Sequence, residues 1–331
     1  MSFSVQVPDI GLEWSGSDLS SVFAQRSNLF KPRFWRMLRD ILRFNKLTTA
    51  IASSGSEAQM VQPIADFLAH HGFSDEFRDW YFLPMIGCIW SCPTDQMLRF
   101  PVATLIRFCH NHGLIQVANR PQWFTVRGGA RQYVEKIVAG VPDARLNSPV
   151  RSVKRAPAGS GAAGTWVATD RGSERFDEVV FACHSDQALA LLSDASEAER
   201  SVLGAIRYQP NRAVLHTDRS VLPRRERAWA SWNYERAADG DREQARVCLH
   251  YLLNRLQPLP FTTPVVVSLN PVRDIDPKQI HGSFEYAHPV FDLEAIQAQG
   301  QVGSLQGQQH TYFCGAWTGY GFHEDGLKSG L

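Results

Sequence analysis

From Pro32 to His112 the sequence holds four helical stretches in succession, at 32–49, 56–70, 74–91 and 94–112, broken only by Gly55, the Gly72-Phe73-Ser74 junction and Pro93. A run of that kind predicts a mostly helical subdomain. Strand signals lie elsewhere. Phe3, Val5 and Val7 alternate and then turn at Pro8-Asp9, short apolar runs fill 144–183, and further runs at 212–217, 228–235, 246–253 and 264–269 suggest a second sheet. Between them "HSDQALALLSDASEAERSVLGAI" reads as two short helices, the first opening at His184 and Asp186. The fold class is therefore α/β with α+β elements. At 331 residues and 44% hydrophobic content the chain is long enough for two domains. No repeat of about 20–50 residues recurs, which excludes a solenoid.

The stretch Gly159-Ser160-Gly161-Ala162-Ala163-Gly164 matches the glycine spacing that cradles a dinucleotide pyrophosphate. That fingerprint needs a strand before it, a helix opening at the third glycine and an acid about 20 residues on. Here Trp166, Val167 and Thr169 favour strand, Gly172 punctuates, and Val179, Val180 and Phe181 form another apolar run. The surroundings are hairpin-like, so residues 144–183 are expected to form an antiparallel layer with "GSGAAG" as an exposed connection.

Composition narrows the function. A net charge of +1 argues against a dedicated nucleic-acid binder. No apolar run approaches the roughly 18 residues of a membrane span, and residues 1–20 lack an export signal, so a cytoplasmic location is expected. The six cysteines are scattered without a C-x-x-C pair; Cys88 and Cys92, four apart, read as core rather than as a metal site, and no metal is expected. Helix 32–49 sets Phe34, Leu38, Ile41 and Leu42 against Arg36, Arg39, Arg43 and Lys46. Such a face is either solvated or laid on an anionic membrane as a peripheral contact. "HNH" at 110–112 has no nuclease context.

The segments "TVRGGARQYVEKI", "LNSPVRSVKR" and "FDEVVFACHSDQALALL", in the chain order of their counterparts, and the terminal "YFCGAWTGYGFHEDGLKSG" resemble the FAD-dependent amine-oxidase superfamily, in particular its bacterial NAD/FAD-binding branch; "LHTD", "WASWNY" and "NRLQ" are similar too. The resemblance spans nearly the whole chain. It implies FAD as cofactor and a two-domain fold, with 1–122 and 184–304 as substrate domain (helical subdomain 30–112 plus sheet) and 123–183 and 305–331 as part of a discontinuous FAD-binding domain. Family members open with a β-α-β unit bearing the glycine fingerprint. This sequence shows none, so the resemblance implies a truncated member with an incomplete fold.

Residue by residue, the resemblance places Gly128, Gly129, Val150, Gly315, Ala316, Trp317, Gly326 and Leu327 at the cofactor. Gly315 permits close approach of backbone, and a helix opening near Asp325-Gly326-Leu327 aims N–H groups at its ligand. Many relatives carry an acid where Trp317 stands, and Val150 reads equally as an ordinary strand valine. His323 and Glu324, with Asp325, read either as an acid/base group or as a helix cap. Trp232 and Tyr234, with Trp229, read either as the wall of an apolar substrate pocket or as core. The implied activity is flavin-dependent hydride abstraction from an amine or from an unsaturated lipid or isoprenoid; the alternative is an inactive fragment serving at most as a binding module. Either way the partner is a small molecule or lipid.

Overall fold

The computed structural model describes residues 2–54, 62–90, 94–114, 122, 124–156, 164–237 and 247–331. Cys92 and residues 159–163 of the glycine stretch lie outside them. The chain divides into two compact units, Met1–Val134 with Pro210–His288, and Glu135–Gln209 with Pro289–Leu331.

The strands of the first unit are β1 (Phe3–Val7), β2 (Leu12–Ser15), β7 (Tyr208–His216), β8 (Trp232–Glu235), β9 (Cys248–Leu252), β10 (Val266–Leu269) and β11 (Ile280–Pro289). They form one mixed seven-stranded sheet in the order β11-β7-β10-β9-β8-β1-β2. β1 pairs with β2 antiparallel and with β8 parallel. The register sets Trp14, Val5, Tyr234 and Leu249 in one cross-strand row, and Ser15, Ser4, Asn233, His250 and Ser268 in another. Because side chains alternate across a strand, the first row belongs to an apolar face and the second to a polar one, yet every residue in both is buried. Buried polar groups need partners. Ser4 Oγ donates to Asn233 Oδ1 at 2.7 Å, Gln6 Nε2 to Val221 O at 2.7 Å, and Glu13 accepts from Arg225 Nη1 at 2.8 Å.

The helices of the first unit are α1 (Leu19–Val22) and, over the stretch read as helical, α2 (Pro32–Ser54), α3 (Ile64–His70), α4 (Asp75–Phe77), α5 (Leu83–Trp90), α6 (Thr94–Leu98) and α7 (Val102–Asn111), with a π turn at Arg78–Phe82. Phe34, Met37, Phe44, Thr48 and Ile51 form the buried stripe of α2. Phe44 meets Phe77 and Phe82 with ring centroids 5.3 Å apart. Asp40, buried on the same helix, accepts from Ser74 Oγ at 2.6 Å, and Ser74 in turn caps α4. The apolar sheet face meets this layer through Trp14, whose Nε1 donates to Trp80 O at 3.1 Å.

Helix α8 (Arg131–Val138) follows the Gly128-Gly129 turn. In the second unit β3 (Val150–Arg155), β4 (Thr165–Thr169) and β5 (Gly172–Phe176) form an antiparallel three-stranded sheet. The expected layer over 144–183 needs correction at its end: β6 (Val179–Phe181) leaves it and pairs in parallel with β12 (Thr311–Phe313). Phe181 and Phe313, stacked at 5.3 Å, anchor that pair in a core shared with α9 (Ser185–Leu191), α10 (Glu197–Gly204) and α11 (Leu293–Gln299). Arg155, buried at the end of β3, is held by Asp194 and Glu199. Helix α12 (His323–Ser329) closes the unit.

Candidate functional site

A cavity of about 400 Å³ opens in the first unit between the apolar sheet face and α2. From the sheet come Phe3, Trp14 and Trp232; from the helices come Leu38, Ile41, Tyr81, Met85 and Ile89. These segments are far apart in sequence and meet because Val5 and Trp14 face each other across β1 and β2 while α2 lies over them. Phe3, Trp14 and Tyr81 pack ring against ring at 5.7–6.2 Å, making a rigid aromatic wall. No Asp, Glu, Lys, Arg or His lines the cavity among the described residues. Its polar lining residues are Ser2, Asn45, Tyr81 and Cys88, the indole N–H groups of Trp14 and Trp35 being donated to the carbonyls of Trp80 and Leu29, and burial pushes the Cys88 thiol far above its ordinary range. Cys88 is thus a neutral apolar wall residue, in keeping with the core reading.

Of the two predicted substrate residues, Trp232 lines this cavity. Tyr234, two residues on, points to the same face but is buried beyond the lining, with its hydroxyl held neutral by burial beside Cys88. Trp229 lies elsewhere, donating through Nε1 to Pro223 O at 2.7 Å.

The opposite, polar face carries a cluster that sequence reading missed. Glu235, Cys248 and His250 are all buried, with potential ligand atoms within 4.8 Å of one another. His250 Nε2 lies 3.0 Å from Glu235 Oε2 and 3.5 Å from Cys248 Sγ, while its Nδ1 lies 2.6 Å from Ser268 Oγ. Ser268 also meets His216 Nε2 at 2.7 Å. Arg273 Nε donates to Glu235 Oε1 at 2.7 Å. Burial opposes a charge on His250, but Cys248 and the Glu235 carboxylate outweigh it and raise the ring to about 9. Burial and the nearby His250 hold His216 down to about 4. An arginine already occupies the carboxylate, so the cluster acts as a locked polar network holding β7–β10 together.

Of the predicted cofactor residues, Gly315, Ala316 and Trp317 follow β12 directly in the second unit, whereas Gly128 and Gly129 belong to the first. Trp317 is buried, and its Nε1 donates to Cys183 O at 3.0 Å, tying the turn after β12 to the end of β6. Gly315 has φ +152°, and a Cβ there would stand 2.6 Å from Trp317 Nε1. Its N–H donates to Ser329 Oγ at 2.8 Å. Gly326 packs its backbone against Ala316, with 3.6 Å of clearance for a Cβ, whereas Leu327 is exposed. Asp325 Oδ2 accepts from Phe322 N at 3.0 Å, so this acid caps the helix. Glu324 is exposed and pairs with Lys328 at 3.3 Å; His323 is exposed as well. Val150 lines a separate shallow pocket of about 270 Å³ with Phe176, Arg145 and Arg171. Gly128 and Gly129 both have positive φ, and a Cβ on Gly129 would meet nothing within 4 Å.

No family model and no curated protein sequence matches the chain. Solved structures match it over almost its full length. A fatty acid isomerase from P. acnes that produces CLA aligns with a TM-score of 0.63 at 14% identity, covering 99% of this chain and 78% of its own. Putrescine oxidase bound to putrescine aligns at 0.59 and 12% identity, covering 99% and 79%. Cyclohexylamine oxidase from Brevibacterium oxydans aligns at 0.56 and 14%, covering 99% and 78%. The chain therefore has the fold of these enzymes. Fold alone does not fix chemistry, which rests on the site.

The cavity and the polar cluster were both hard to find in the sequence. Cys248-x-His250 was the available signal for the cluster, two reactive side chains on one face of a predicted strand.

Proposed function

We propose that the protein is a flavin-dependent oxidoreductase acting on an uncharged, elongated, unsaturated chain of the lipid or isoprenoid kind, with FAD as its cofactor. The apolar cavity carries this reading. Its volume suits a small ligand, and its walls are aromatic and aliphatic. An ammonium or carboxylate placed among Trp14, Leu38, Ile41 and Met85 would find no opposite charge, and burying an unpaired ion is costly. A hydrocarbon chain gains roughly 0.8 kcal/mol per buried methylene. The shared fold with a fatty acid isomerase and with amine oxidases supports the class, and the lining favours a hydrocarbon over an amine.

Bound flavin supplies acceptance of a hydride equivalent from a C–H bond beside an alkene. The second unit fits part of such a site. β6 and β12 run parallel and end side by side, and the carboxyl ends of parallel strands are where open α/β sheets take ligands. Gly315 and Ala316 follow β12 there, and Val150 lines its own pocket. The clearances at Gly315 and Gly319 are taken by Trp317 and Asp325, so these glycines serve packing and offer no pyrophosphate cradle. Among the described residues β6 pairs only with β12, and Val180 on it is exposed. That edge suits a further parallel strand, and a β-α-β unit with its own glycine turn, in cis or from another polypeptide, completes the cofactor site. In the first unit Phe3, Trp14 and Tyr81 orient the chain and exclude water.

Binding of methyl cis-parinarate, the uncharged ester of a fluorescent polyene, tests the substrate reading without flavin. The chain should bind it, unsaturated hydrocarbons should displace it, and Ile41→Asp should abolish binding while the fold, followed by circular dichroism, persists. Displacement by amines but not by hydrocarbon chains would overturn the reading.

A further inference from the structure

The mouth of the cavity is built unlike an ordinary protein surface. Leu19, Trp35 and Leu42 line it and yet are 79%, 49% and 59% exposed. Phe30, 86% exposed, follows Leu29, whose carbonyl accepts from Trp35 Nε1 at 2.8 Å and so ties this turn to the rim. Single exposed apolar residues need no explanation, but four large ones around one apolar opening do.

Apart from Lys31, the cations of this region fall into two groups. Segment 17–49 holds seven Lys and Arg residues against Asp18 and Asp40. Arg33 and Arg36 are drawn to Glu76 at 2.5 and 3.5 Å, and Arg43 to Asp40 at 3.6 Å and to the carbonyl of Gly72, so these three hold the fold. Arg39 and Lys46 lie four residues after Trp35 and Leu42, hence beside them on the helix surface. Both are exposed; among the described residues Lys46 meets no carboxylate, and the carboxylate nearest Arg39 is the buried Asp40 at 3.8 Å. Arg26 is exposed on the turn that carries Phe30. Asp18 is spent on capping α1, accepting from Ser21 N at 2.8 Å.

We propose that this rim docks on an anionic lipid bilayer, with Leu19, Phe30, Trp35 and Leu42 entering the headgroup region and Arg26, Arg39 and Lys46 facing lipid phosphates, so that the apolar chain passes from bilayer to cavity. The delivery step rests on the substrate reading above; the docking itself does not. An apolar edge flanked by cations matches the requirement for interfacial binding, in which burial and electrostatic attraction add. No helix among the described residues is long and apolar enough to cross a membrane, so the contact is with the surface.

Sedimentation of the full chain with vesicles tests this. Vesicles of phosphatidylcholine mixed with phosphatidylglycerol should carry the protein down, vesicles of phosphatidylcholine alone much less, and added salt should release it. Each cation removed should weaken partitioning about fivefold, so R39E/K46E should lower it by more than about twentyfold. Phe30→Ser, outside the cavity, should lower it on both vesicle types. Bromine-labelled acyl chains should quench tryptophan fluorescence, and Trp35→Phe should remove most of the quenching. Equal binding to both vesicle types, or no effect of R39E/K46E, would overturn the proposal. So would a self-associated species that Phe30→Ser turns into monomer while neither form binds vesicles, since the face would then belong to a second copy. Binding of methyl parinarate without recruitment to vesicles defeats the docking alone; recruitment without methyl parinarate binding defeats the substrate reading alone.

Discussion

Replacing Glu235 by glutamine removes one charge from the middle of the buried polar row. In the native protein the His250 ring is raised to about 9 from an ordinary 6.5, with burial opposed and outweighed by Cys248 and Glu235. The folded chain therefore keeps a proton that the unfolded chain releases, and this contribution is full below pH 6.5 and lost as pH rises through about 9. His216 runs the other way: held down to about 4, it stays neutral where the unfolded chain is protonated, so its contribution is lost as pH falls from 6.5 toward 4. Stability should peak near pH 6.5, between the two limbs. The gap from 6.5 to about 9 corresponds to on the order of 3 kcal/mol. Breaking a buried pair costs about 3–5 kcal/mol, and the lower end applies here because Arg273, half exposed, can turn to solvent. Glu235→Gln should thus lose about 3 kcal/mol near neutral pH, lowering Tm by roughly 6–12 °C. The gap from wild type should narrow in alkali, where wild type has already lost the His250 contribution. Urea unfolding of both proteins across the pH range measures this directly. A variant within about 0.5 kcal/mol of wild type near neutral pH, or one with the same alkaline limb, would refute the reasoning.

Gly315→Ala should cost about 1–3 kcal/mol, because its positive φ and the contact with Trp317 both resist a Cβ, whereas Gly129→Ala should cost about 1 kcal/mol from backbone alone; thermal melts showing equal losses would contradict the packing argument. Arg155→Met should cost roughly 3–5 kcal/mol by leaving the buried Glu199 carboxylate without its cation, read by urea denaturation of the second unit. Serine at Gly159 and Gly161 should leave flavin binding unchanged; Gly164 must be spared, since its φ is +113° and a Cβ would stand 2.7 Å from Phe176 O. A large loss of bound flavin in that double variant would restore the stretch as a phosphate loop.

Where one face of an element is buried, the sequence displayed it. Alternation at Phe3, Val5 and Val7 announced β1, and the helix start at His184 and Asp186 announced α9. β2 was illegible because "LEWS" is short and half polar, and its polar residues are buried by partners remote in sequence. β11 was hidden by its exposed, mixed composition. The unit boundaries fall after Val134, Gln209 and His288, because α9, α10 and α11 pack on Phe181 and Phe313. A local pattern does not encode such long-range packing. The cavity wall draws on β1, β2, β8, α2 and α5, so strand alternation could mark Phe3 and Trp232 but not their meeting. Trp317 was visible as a residue near the glycine turn, but its bond to Cys183 O depends on the parallel pairing of β6 and β12.

The central claim is tested most directly by anaerobic mixing of substrate with the FAD-loaded protein, a glycine-fingerprint β-α-β unit being supplied where the chain alone takes up no flavin. The methyl ester of a polyunsaturated fatty acid in detergent should bleach the flavin absorption, and Ile41→Asp should prevent the bleaching while leaving the flavin bound. Bleaching by putrescine or cyclohexylamine with none by the ester would contradict the account.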